Sequence, residues 1–151
     1  MRASIPLLLL LTACTMTMTP RANTREGVRA YVDRAAKVIE REGAEACSTF
    51  GASDWMRGDW YIFVLDADGR TLCHPARPEM VGTMAHELVD ARGTRFGDEF
   101  VRVAGSGGGW VSYLWARPGE TETVEKLSYV RQATGPDGKT YVLGSGGYAL
   151  R

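Results

Sequence analysis

Asp59-Trp60-Tyr61-Ile62-Phe63-Val64-Leu65-Asp66-Ala67-Asp68-Gly69-Arg70-Thr71-Leu72-Cys73-His74 is the stretch on which the fold class turns. Its first seven residues are rich in β-branched and aromatic side chains, as a buried strand should be. Asp66 to Gly69 is a strong turn signal, and Thr71 to His74 resume as a second strand. The stretch predicts a hairpin. Pro75 and Pro78 end it, because proline has no N–H to give to a ladder.

Upstream, from Thr24 to about Phe50, the period is helical. Val28, Val32, Ala35 and Ile39 recur at three- and four-residue steps, and Tyr31 and Val38 widen the stripe. Arg25, Arg29, Arg34, Lys37 and Arg41 fill the polar side. Asn23 or Thr24 caps the start, and Gly43 marks a break near the end. Downstream, residues 79–105 lack alternation. Met84, Leu88 and Val89 suggest a short helical turn, and Phe96, Phe100, Val101 and Ala104 a second one ending at Gly105. Three strand-like runs follow: Trp110 to Ala116, Val124 to Ala133, and Tyr141 to Tyr148. Pro118-Gly119 and Pro136-Asp137-Gly138 turn the chain between them, which makes these strands antiparallel neighbours. The predicted fold is α+β: a long N-terminal helix on one face of a five-stranded antiparallel sheet. The segment between strands two and three covers the other face, with space for a pocket beneath it.

The chain has 151 residues, with 18 basic and 18 acidic side chains and zero formal net charge. That balance removes the electrostatic case for nucleic acid and for a polybasic membrane contact. The N-terminus reads as a signal peptide over residues 1–13: Arg2, an apolar run from Ile5 to Leu11, then small residues. Leu11-Thr12-Ala13-Cys14 resembles the lipobox of bacterial lipoproteins, in which the cysteine is lipidated. The alternative is an ordinary signal peptide cut nearby, with Cys14 incidental. On the first reading residues 14–23 are a lipidated polar tether and residues 24–151 are one domain. Contact with the membrane is then through the lipid alone, and Thr15 after the cysteine favours the outer membrane. Cys47 and Cys73 are either a disulfide, as an oxidising compartment permits, or two buried thiols.

With these residues laid out, the chain resembles the single Cache domain family, the PAS-like extracytoplasmic sensor modules of bacteria. The matching pieces run in order over about residues 58–148. They are Gly58-Asp59-Trp60-Tyr61-Ile62-Phe63-Val64, the Asp66–Gly69 turn, Leu72-Cys73-His74-Pro75, and Pro78-Glu79-Met80-Val81-Gly82. Gly108-Gly109-Trp110-Val111-Ser112-Tyr113-Leu114-Trp115, Lys126-Leu127-Ser128-Tyr129-Val130 and Tyr141-Val142-Leu143-Gly144-Ser145-Gly146 complete the set. The resemblance implies a PAS-like sheet and a pocket for a small carboxylate such as acetate, propionate or pyruvate. Family members sit between membrane helices ahead of output domains, whereas this chain reaches Arg151 without either. Binding is therefore expected of it more than direct transmembrane signalling.

Lys126 is the first candidate for a ligand contact. Alternation puts it on one strand face with Ser128, and a lysine on a mostly apolar face is costly to bury unless an anion pairs with it. The other reading is an edge lysine reaching back to water. Trp110, Tyr113, Trp115 and Tyr129 are candidate pocket walls, as is Tyr61, although core packing is the commoner fate of any one aromatic. His74 could donate to a carboxylate, or be a strand-end residue tied to a backbone carbonyl. His86-Glu87 does not make a zinc motif, because position 90 is Asp90; no metal and no cofactor are expected. Ser145 lacks the surroundings of an activated nucleophile, so an enzyme ranks behind a binding module. The competing binding function is a ligand-free interaction module that docks on an envelope or receptor protein.

Overall fold

The computed structural model of the chain describes residues 23–151. The expected signal peptide and the lipidation site Cys14 lie outside these residues. Helix α1 (Arg25–Glu42) starts where Thr24 adopts an extended conformation and its hydroxyl accepts from the Gly27 N–H at 3.0 Å. It stops at Gly43, whose φ of +59° a side chain would strain. The predicted helical stretch therefore divides here, and after a 3₁₀ turn it resumes as α2 (Ala46–Phe50). An N-cap of this kind is worth about 1 kcal/mol. Thr24→Ala is expected to lower the melting temperature by about 3–6 °C for a domain of this size, read by calorimetry.

Five strands follow: β1 (Phe63–Asp66), β2 (Thr71–Cys73), β3 (Gly109–Ala116), β4 (Thr123–Thr134) and β5 (Thr140–Tyr148). They form one antiparallel sheet in the order β2-β1-β5-β4-β3. The hairpin turn is built by Asp66, whose carboxylate accepts from the N–H groups of Asp68 and Arg70. β1 is shorter than its composition suggested. Trp60 bridges to Arg57, Tyr61 and Ile62 precede the strand, all three are buried, and the ladder of β1 to β5 begins at Phe63↔Gly144. Apolar enclosure on both sides, rather than ladder pairing, accounts for their composition.

The sheet separates two cores. On one face, Val28, Val32, Ala35 and Ile39 of α1 pack with Ile62, Val64 and Leu143. On the other, Phe63, Leu65, Val130 and Val142 meet helix α3 (Phe96–Gly105) through Phe96 and Phe100. Between β2 and α3 the chain forms 3₁₀ turns at Pro78–Met80 and Ala85–Glu87. This overlying segment is fastened to the β2 edge by Thr71 N–H to Thr83 O, Gly82 N–H to Thr71 O, and Ala85 N–H to Gly69 O. At its far end Asp90 accepts from the Leu114 N–H of edge strand β3 at 2.8 Å. Both sheet edges are thereby partly covered. Cys47 of α2 and Cys73 of β2 form a disulfide across 26 residues, and closing such a loop restricts the unfolded chain by roughly 3 kcal/mol. Among the described residues no helix is long and apolar enough to cross a membrane.

Candidate functional site

The register of β3, β4 and β5 places Tyr113, Lys126 and Tyr148 side by side, with Val111, Ser128 and Gly146 as the next row. All six belong to the face beneath the overlying segment, because strand side chains alternate. Gly146 is required by its neighbour. A Cβ there would lie 2.2 Å from Ser128 Oγ. Ser128 in turn hydrogen-bonds the Tyr113 hydroxyl at 3.0 Å, and both are buried.

Lys126 is fully buried, with 0 % exposure. Its ammonium donates to Tyr61 Oη at 2.8 Å and sits 4.2 Å from the Tyr61 ring and 5.6 Å from the Tyr148 ring. Trp115 Nε1 donates to the same Tyr61 oxygen at 3.1 Å. With two donors already on that oxygen, the Tyr61 hydroxyl proton is left to be offered elsewhere. Tyr148 is held by its own hydroxyl, which donates to the Ala116 carbonyl at 2.8 Å. No carboxylate pairs with Lys126 among the described residues. Asp59, whose charge favours the ammonium, is itself paired with Arg117. Burial and the Arg77 charge outweigh Asp59 and bring the Lys126 pKa down to about 7.

His74, directly after β2, packs its ring 4.8 Å from Tyr61 and 6.0 Å from Trp115. Its Nδ1 is buried without a hydrogen-bond partner among the described residues. Burial first, and then the Lys126 charge, depress its pKa to about 3, so it is neutral at physiological pH. Burial likewise raises Tyr61 and Tyr113 above the usual phenol range and pushes Tyr148 up to about 12. The donors offered here are thus a buried ammonium and neutral hydroxyl, indole and imidazole groups.

A narrow cavity of about 20 Å³ lies against this cluster. His74, Tyr113 and Trp115 form its inner wall, with Phe96 and Phe100 of α3 and Met80 of the overlying segment on the other sides. Thr71 also lines it and carries a second buried, unpartnered oxygen, Oγ1. Lys126 does not line the cavity; the rings of Tyr61, Trp115 and His74 surround its approach. The volume suffices for a water but not for an organic acid.

Of the residues singled out in the sequence, Lys126, Ser128, Tyr61, Tyr113, Trp115 and His74 come together here. Trp110 and Tyr129 do not. They lie on the opposite face, 5.3 Å apart, beneath Arg25 and Arg29 of α1. Parity explains this: Trp110 is an odd number of residues from Tyr113 and Trp115, as Tyr129 is from Lys126 and Ser128. Tyr148, Thr71 and the Phe96–Phe100 pair were not singled out as site residues. Tyr148 is identified only by the β4–β5 register, and Phe96 and Phe100 carried the signature of an ordinary core stripe.

The model of the family described as Single Cache domain 2 matches residues 17–149. The methyl-accepting chemotaxis protein McpP of Pseudomonas putida is 32% identical over 130 residues, covering 83% of this chain and 23% of that protein. The chain spans about a quarter of the length of the curated relatives it matches. A solved periplasmic sensor domain of a chemotaxis protein is 32% identical, with a TM-score of 0.63 over 82% of this chain and 89% of that one. A second, solved to explain carboxylic acid recognition by a Cache chemosensory domain, is 26% identical. Its TM-score is 0.68 over 82% of this chain and 92% of that one.

Proposed function

The chain belongs to the Single Cache domain 2 family of ligand-sensing domains, and from that premise we propose that it binds a small organic acid at Lys126. The observation that carries the reading is a fully buried ammonium with no carboxylate paired to it among the described residues. Such a group is stabilised by an anion that enters beside it. A carboxylate would accept from Lys126 Nζ and from the Tyr61 hydroxyl, with His74 and Trp115 enclosing its apolar end. Acetate, propionate and pyruvate are the smallest members of the class, and the carboxylic-acid-binding Cache neighbour supports the class. Entry requires His74, Tyr61 or the overlying segment to move. We read the domain as facing the periplasm, as its periplasmic relative does, and held at the outer membrane by a lipid on Cys14. An envelope receptor would then read its occupancy.

The test is thermal unfolding of residues 23–151 with each of the three acids and with acetamide and propionamide as uncharged controls. A ligand at a hundred times its Kd stabilises by about 2.7 kcal/mol, a rise of several degrees. The acids are expected to give that rise and the amides none. The near-closed cavity favours one other reading, a docking module whose pocket is filled by its own side chains. A well-folded domain unmoved by all three acids would support that reading and remove the first.

A further inference from the structure

Arg77 is half-buried, and its guanidinium lies 4.5 Å over the ring of Trp115, a wall of the cavity. Among the described residues its side chain has no hydrogen bond and no carboxylate partner. Arg117 makes the contrast. It also lies over a tyrosine of the site, at 4.3 Å from the Tyr148 ring, but Asp59 neutralises it. The Arg77 charge reaches the interior, where it disfavours the protonated forms of Lys126 and His74. Two positive groups without a directly paired carboxylate among the described residues therefore stand in series, one at the rim and one fully buried. Between them run Trp115 Nε1, the Tyr61 hydroxyl and Lys126 Nζ, joined at 3.1 and 2.8 Å.

An anion bound for Lys126 must leave water before it reaches the ammonium, and an unpaired carboxylate between the two is costly. A cation at the rim lowers that intermediate energy and gathers anions from solution, because low-dielectric walls focus its field. We propose that Arg77 is the capture residue of this site: it draws the carboxylate onto the Trp115 rim and passes it inward to Lys126. Resting on the organic-acid reading, this adds a positioning residue that governs entry more than retention. The backbone favours the arrangement. Arg77 N–H bonds the His74 carbonyl at 2.9 Å and Pro78 begins the next turn, so the guanidinium is carried on a short hydrogen-bonded turn where the chain leaves His74 for the overlying segment.

The experiment is a propionate titration of wild type, Arg77→Gln and Arg77→Lys, with exchange rates taken from NMR line shapes of the Trp115 indole N–H at two salt concentrations. Arg77→Gln is expected to lower kon about three- to tenfold and weaken its salt dependence, with koff within about twofold of wild type. Arg77→Lys keeps the charge and restores most of kon. An unchanged kon and salt slope in Arg77→Gln would overturn the capture role while leaving the organic-acid reading intact. A faster koff with unchanged kon would overturn it too, by making Arg77 a contact of the bound acid. If wild type does not bind propionate, acetate or pyruvate, the organic-acid reading fails and the capture role with it. Melting temperatures of the two variants show that each is folded before its rates are compared.

Discussion

Replacing Lys126 with methionine is expected to abolish propionate binding and to raise the melting temperature of the unliganded domain. Lys126 is fully buried and, among the described residues, has no carboxylate paired with it and a single hydrogen bond, to Tyr61. Exchange of buried ionic groups for apolar ones of similar volume ranges from neutral to stabilising by about 1–4 kcal/mol. At about 3–6 °C per kcal/mol, the gain is measurable by calorimetry. Methionine fills the same space, and Tyr61 Oη keeps Trp115 Nε1 as a donor, so no acceptor is orphaned. For the ligand the change has the opposite sign. Removing one partner of a buried, hydrogen-bonded charge pair costs about 2–5 kcal/mol, or roughly 30- to 4,000-fold in Kd. Stability rising as binding disappears is the mark of a residue kept for function. A variant that melts lower and still binds propionate would instead make Lys126 a structural residue.

The same lysine shows how much was legible in the chain. Its position on a strand, and its sharing of a face with Ser128, follow from period two alone. So do the pairing of Tyr113 with Trp115 and the exclusion of Trp110 and Tyr129, although the last two were drawn in by their aromatic character against their parity. Strand pairing is a different kind of information. Tyr148 stands beside Lys126 because β4 and β5 meet in one register, and a shift of one residue would have sent its ring to the α1 side. The Cys47–Cys73 bond likewise joins elements that adjoin only in the folded chain. Arg77 sits between two prolines, Pro75 and Pro78, that end the hairpin; its place over Trp115, on the opposite edge strand β3, depends on how the chain after β2 crosses the sheet. Buried Trp60, Tyr61 and Ile62 carry the opposite lesson. They have the composition of a strand and the burial of one, yet they lie before the β1–β5 ladder, because composition reports enclosure and not register.

Propionate affinity is expected to fall as pH rises above 7. The acid stays ionised throughout this range, so the dependence comes from the protein. In the unliganded fold Lys126 has a pKa of about 7, set chiefly by burial. A bound carboxylate favours the ammonium and raises that pKa, so binding takes up protons above pH 7. Where the bound pKa lies well above 9, as for an ordinary lysine, Kd rises roughly 50-fold between pH 7 and pH 9, and by little below pH 6. Stability of the unliganded domain moves the other way. The native pKa of about 7 lies below the ordinary lysine value of 10.5, so between these limits the unfolded chain holds more protons and stability increases with pH. His74, with a native pKa of about 3 against 6.5, adds a second window, in which stability is lost as pH falls from 6.5 toward 3. Ligand narrows the first window, because Lys126 then keeps its proton in the folded state, and leaves the second in place. Calorimetric titrations between pH 6 and 9, in buffers of differing ionisation heat, measure the proton uptake directly. Uptake near one-half proton is expected at pH 7, approaching one by pH 8.5. A Kd that stays level from pH 6 to 9 would mean that the acid is held by groups other than this ammonium.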